Sequence, residues 1–106
     1  NAVTSSLQHV LKGKILAIYS LTEGAARRGK DVLMELYPGL KVEINHDHVS
    51  TPALINLAKK ADFFIFSSDS SKHQAFYTVS DYRKDIIYPA GKGASSIVAA
   101  FAQSLR

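Results

Sequence analysis

The chain contains no cysteine and no tryptophan, and only one methionine and three prolines in 106 residues. Without cysteine there are no disulfides, no thiolate metal sites and no cysteine nucleophile, and this usage fits a reducing cytoplasm. No apolar run approaches the roughly 20 residues that a membrane span needs, so no membrane partner is expected. No secretory signal pattern is visible. Internal repeats, low-complexity stretches and linkers are also missing, and no nucleophile elbow of the GxSxG kind occurs.

What remains is ordinary globular material. Apolar residues make up 46% of the chain, enough for the core of one small domain and not two. The balance of charge is basic, +4 at neutral pH with a pI near 9.4. Arg27, Arg28 and Lys30 form the densest basic cluster, followed by Lys59-Lys60, Lys72, Arg83-Lys84 and Lys92. Such a surface attracts anions, either nucleic acid or a phosphorylated small molecule. No interleaving of aromatic and basic residues, of the kind that binds single strands, accompanies it.

The most buried stretch is Phe63-Phe64-Ile65-Phe66, which ends abruptly in Ser67-Ser68-Asp69-Ser70-Ser71. A continuous apolar run bounded this way reads as a strand covered on both faces, as in parallel sheets. Lys14 to Tyr19 is a second run of this type. Leu40 to Asn45 instead alternates apolar and polar residues, which places it at a sheet edge with one wet face. Asp85 to Tyr88 starts a fourth strand, cut short by Pro89.

Helical patterns separate these runs. Ser20 and Glu23 stand at capping-box spacing before a helix that carries Ala26, Val32, Leu33 and Leu36 and stops at Pro38-Gly39. Thr51-Pro52 marks the start of the next helix, with threonine as cap and proline in the first turn. A third helix runs from about Lys72 to Tyr82, capped by Ser70 or Ser71, and a last one follows Gly91 to Ser96. Residues 1–13 read as a lead-in helix that includes a tag remnant or the tail of an upstream domain, with residues 14–106 as the single domain. Strand-helix alternation with right-handed crossovers predicts an α/β fold. The expected form is a three-layer Rossmann-like or flavodoxin-like sandwich around a four-stranded parallel sheet of order 2-1-3-4.

Open α/β sheets bind ligands at the carboxyl ends of their strands, where the winding direction reverses. Three turns of small residues fall on that rim. Ser20 and Thr22 follow the first strand; Ser68, Asp69, Ser71, Lys72 and His73 follow the third; Gly91, Lys92, Gly93, Ser95 and Ser96 lead into the last helix. The Gly-Lys-Gly-Ala-Ser-Ser turn is the most specific of them. Small residues admit a ligand close to the backbone, and free amides at a helix start attract phosphate or carboxylate. This turn is neither GxxxxGK[ST] nor GxGxxG after a first strand, so P-loop and dinucleotide labels do not apply. Asp69 at a strand end has the position of a receiver-domain phospho-acceptor, but Ser20-Leu21-Thr22-Glu23 stands where such domains carry paired acids. His46-Asp47-His48 offers two imidazoles, with His73 as the third ligand a zinc site would need; no metal site is assigned.

The stretches Asp62 to Ser71, Lys72-His73-Gln74-Ala75-Phe76-Tyr77 and Gly91-Lys92-Gly93-Ala94-Ser95-Ser96-Ile97 resemble the bacterial domain-of-unknown-function family 2325, and the His46-Asp47-His48 region also fits its pattern. The resemblance implies a small Rossmann-like module at the C-terminus of longer bacterial proteins, some encoded near genes for defence against phage. It implies no particular activity and no particular cofactor. Together these readings predict a cytoplasmic, non-catalytic anion- or nucleotide-binding module that works with other domains of a larger protein. The alternatives are a hydrolase or nucleotide-processing domain using Asp69, His46, His48 or His73, and a scaffold that binds nucleic acid or protein through Arg27 and Arg28.

Overall fold

The computed structural model describes residues 9–67 and 74–105. Strands β1 (Ile15–Ser20), β2 (Lys41–Asn45) and β3 (Phe63–Ser67) alternate with helices α1 (Glu23–Leu36), α2 (Pro52–Lys60), α3 (Gln74–Tyr82) and α4 (Ala94–Ser104). All pairing is parallel, in the order β2-β1-β3. Ile18 of β1 lies opposite Ile44 on one side and Ile65 on the other, and Ser20 lies opposite Ser67.

Strand alternation divides the core into two. Leu16 and Ile18 of β1 and Ile65 of β3 face one way, against Ala26 and Leu33 of α1 and Ile97 and Phe101 of α4. Ala17, Tyr19, Phe64 and Phe66 face the other, against Leu54 and Leu57 of α2 and Ala75 and Val79 of α3. Helices thus cover both faces of the sheet, which is why β1 and β3 carry no polar residue until their last position. β2 behaves as the edge that its alternation predicts. Val42 enters the core, while Glu43 on the opposite face reaches Lys60 of α2 at 3.0 Å.

The expected four-stranded sheet in the order 2-1-3-4 does not form. The fourth segment contributes an isolated parallel bridge between Ile87 and Ile65. It is held by Ile87 N–H on the Phe64 carbonyl at 2.8 Å and Phe66 N–H on the Ile87 carbonyl at 2.9 Å. The reason is local. Asp85 at its start is tied to Arg83, Ile86 and Ile87 are only half-buried, Tyr88 is exposed, and Pro89 has no N–H to continue the ladder.

The helix starts differ in how well they follow local rules. Thr51 caps α2 as expected, accepting a hydrogen bond from Leu54 N–H at 3.2 Å with Pro52 in the first turn. The capping box expected at Ser20 and Glu23 is not formed. Ser20 Oγ accepts from Thr22 N–H at 3.0 Å, Thr22 becomes the N-cap, and α1 has no side-chain cap bond. At the opposite rim a helical turn at residues 9–11 buries Leu11. Gly13 and Gly39 then take φ of 80° and 94°, the left-handed region that glycine alone enters freely, and Gly13 N–H binds the Gly39 carbonyl at 2.9 Å. The cap expected at Ser70 or Ser71 and the first residues of the third helix lie outside the described residues.

Candidate functional site

A parallel sheet sends every strand's carboxyl end, and every following helix's N-terminus, to the same rim. On the β2 side of that rim α1 and the end of β2 enclose a cleft of about 400 Å³, lined by Glu23, Arg27, Lys30, Asp31, Ile44 and His46. Glu23, Arg27, Lys30 and Asp31 recur at helical spacing and so share one stripe of α1. Arg27 Nη2 donates to Glu23 Oε1 at 2.7 Å, and His46 Nε2 stands 3.9 Å from Glu23 Oε2. Glu23, placed in the first helical turn, therefore stands between Arg27 and His46 rather than acting as a cap.

A second recess of about 390 Å³ shares Glu23 and His46 and adds Leu21, Asp47, His48, Val49 and Thr51. Asp47 is the fixed point of this loop. Its carboxylate accepts from Asn45 Nδ2 at 3.1 Å and from the Thr51 hydroxyl, while its N–H donates to Asn45 Oδ1 at 2.8 Å. Those side-chain hydrogen bonds, first Thr51 and then Asn45, hold the Asp47 carboxyl below the usual range. The Tyr19 hydroxyl donates to the Asp47 carbonyl at 2.8 Å from within the core, where its ring stacks on Phe66 at 4.6 Å. Burial, with Asp47 nearby, pushes the Tyr19 phenol up to about 12. A carboxylate so well satisfied is a poor general base, and this one acts to brace the loop.

The residues expected at the site fall into three groups. Ser20 and Thr22 are at the rim, bonded to each other. Gly91, Lys92, Gly93, Ser95 and Ser96 form the turn into α4, with Gly93 as an N-cap that makes no side-chain bond. A Cβ on Gly91 would stand 2.8 Å from Ser96 Oγ, so this corner requires glycine unless Ser96 moves. Ser95 also lines an apolar hollow of about 380 Å³ with Val32, Ala94, Val98 and Ala99. Ser68, Asp69, Ser71, Lys72 and His73 lie outside the described residues, and with them the concavity expected to join Ser68 and Asp69 to the Gly91 turn.

His46 and His48 do come together, in the second recess. Among the described residues no group of three or more His, Cys, Asp or Glu is placed to hold a metal ion. Arg27 and Arg28 are both exposed on α1, with Arg27 engaged by Glu23. Sequence reasoning missed Asp31 and Ile44 and assigned Glu23 to capping. The signal available was the Glu23–Arg27–Asp31 series at intervals of four, which marks one face of a helix.

The match to known families is extensive. A family model described as DpdD-like covers residues 1–100, and this match lends no support to the resemblance to family 2325. No curated protein and no solved structure matches the chain. On the extent of the family match, the chain belongs to the DpdD-like family.

Proposed function

We propose that this Rossmann-like domain is a non-catalytic docking module for a phosphorylated small molecule, nucleotides included, within a cytoplasmic bacterial system of DNA modification and phage defence. The setting is supported by family membership, since DpdD relates to such systems. Among the described residues no helix is long and apolar enough to cross a membrane.

The observation that carries the reading is the cleft between α1 and the end of β2. Arg27, Lys30 and His46 supply cationic or hydrogen-bonding donors around a volume of about 400 Å³, within the range of small-ligand sites. Arginine suits phosphate through its forked donors. Glu23 and Asp31 on the same stripe offer acceptors for sugar hydroxyls or base amino groups, and Ile44 offers an apolar floor. Among the described residues no serine, threonine or cysteine lines this cleft as a nucleophile, and the neighbouring Asp47 is held as a well-bonded anion. That balance favours holding a ligand over transforming it.

The test is a titration of the protein with nucleoside mono-, di- and triphosphates, followed by backbone amide shifts. Saturable shifts at residues 23–31 and 44–46 are expected, with the nucleotide recovered unchanged. Arg27→Ala is expected to weaken binding about tenfold, the loss of one charge-assisted hydrogen bond. Turnover of the nucleotide would move the domain into the enzyme class. Salt-sensitive binding to DNA, lost in Arg28→Ala while the cleft amides stay silent, would replace the small molecule by nucleic acid.

A further inference from the structure

The cleft described above lies on the β2 flank of α1. On its other flank α1 meets α4 so closely that a Cβ on Gly29 would stand 3.3 Å from Ile97 Cγ2. Both helices pack on the same face of the sheet and run against the strand direction, so both begin at the carboxyl rim. β1 and β3 end at that rim in Ser20 and Ser67, which are register partners.

Alternation decides where these two hydroxyls point. Leu16 and Ile18 in β1, and Ile65 in β3, belong to the core under α1 and α4, and Phe63 packs edge-on against Phe101 of α4 with centroids 5.2 Å apart. Ser20 and Ser67 continue those two series, so both turn toward the beginnings of α1 and α4. Ser20 is occupied by Thr22. Ser67 is not so served. It is 6% exposed, and its Oγ is buried with no hydrogen-bond partner among the described residues. Buried polar groups are almost always paired, and an unpaired one has to be explained.

The helix starts add donors to the same place. Neither α1 nor α4 has a side-chain cap bond. The first backbone bonds of the two helices are Ala26 N–H to the Thr22 carbonyl at 3.1 Å and Ile97 N–H to the Gly93 carbonyl at 3.2 Å. The amides of residues 23–25 and 94–96 precede those bonds and have no place in the helical ladder. Lys92 stands exposed just before α4. Glu23, in the first turn of α1, is engaged by Arg27 and lies 3.9 Å from His46, on the cleft side of the helix.

We propose that Ser67, between the N-termini of α1 and α4, forms a binding site for a tetrahedral oxyanion, the phosphoryl group of a phosphate or phosphomonoester. Ser67 donates its hydroxyl proton to one oxygen, and the leading amides of the two helices donate to the others, with both helix dipoles favouring the negative charge. This site is separate from the Arg27–Lys30 cleft and goes beyond the docking reading, so either can fail alone.

The test uses inorganic phosphate and, in a parallel arm, a nucleoside monophosphate, each titrated into the protein at constant ionic strength with amide shifts as readout. Saturable shifts at Ser67, residues 24–25 and residues 94–96 are expected with phosphate alone. If only the monophosphate produces them, the ligand is an ester and the site stands. Ser67→Ala should weaken binding at least about tenfold, and Ser67→Thr, which keeps a hydroxyl, should restore most of it. Ala94→Pro is a second probe. Gly93 already has the extended conformation that a following proline requires, and proline fits the first turn, so the variant removes one amide without breaking α4. It should also weaken phosphate binding while leaving the melting temperature within a few degrees. Phosphate affinity unchanged in both variants would overturn the site, as would phosphate shifts confined to Arg27 and Lys30. In the second case the docking proposal would survive.

Discussion

Single residues show how far local chemistry determines this chain. Thr51 does two jobs with one hydroxyl: it accepts from Leu54 N–H to cap α2 and donates to Asp47 to brace the loop after β2. Thr51→Ala should therefore destabilise the domain by about 0.5–2 kcal/mol. It should also raise the Asp47 carboxyl toward its ordinary value, because the Thr51 bond is the largest cause of its depression. Carbon-detected titration of Asp47 checks the second half, and an unmoved Asp47 would mean that cap and brace are independent. The Thr51-Pro52 cap was legible in sequence because all its parts are neighbours. Ser20 was misread for the opposite reason. Its spacing to Glu23 satisfies a capping box, but Glu23 finds Arg27 one turn on and His46 from β2, and the latter lies far away in sequence.

At the scale of elements, the apolar strands were legible and the margin of the sheet was not. The runs ending in Tyr19 and Phe66 are doubly covered, and the alternating run Leu40 to Asn45 is the edge. Ile65 is the position where these statements meet. It is fully buried, pairs with Ile18 in β1 and bridges to Ile87. Ile65→Ala should cost about 2–5 kcal/mol, a large share of what a domain of this size has. Urea unfolding measures it, and a loss below about 1 kcal/mol would mean that β3 is not the central element of the packing. The fourth strand was overread because Ile86-Ile87 looks like the start of a run, whereas Tyr88 turns out to solvent and Pro89 cannot continue the ladder. The candidate cleft was half legible. His46 drew attention by composition, but its partners Glu23 and Asp31 come from another element and meet it only once β1 and β2 are in register.

For the whole molecule, the titrating groups that hold segments together predict how stability varies with pH. Arg83 joins α2 to the segment after α3. Its guanidinium donates to the Ala61 carbonyl at 2.8 Å and to Asp85 at 2.8 Å, and it lies over the Phe64 ring at 5.6 Å. That arginine holds the Asp85 carboxyl low, as Thr51 and Asn45 hold Asp47 low. Both acids are depressed in the folded state, so the unfolded chain takes up protons first. Their contribution is complete above the ordinary carboxylate range and is lost as pH falls through their lowered values. At the other limit Tyr19 is raised from 10.0 to about 12, so the folded state keeps a proton that the unfolded chain gives up. Stability from this group is complete below pH about 10 and declines as pH rises through about 12. Thermal melts across pH should therefore show an acid limb and an alkaline limb around a plateau. Tyr19→Phe removes the bond to the Asp47 carbonyl and should cost about 0.5–1.5 kcal/mol on the plateau. The same variant should flatten the alkaline limb and leave the acid limb in place. If its alkaline limb matched that of the unmodified protein, the loss would have to come from the other tyrosines or the lysines, and Tyr19 would not link the core to the loop at the rim.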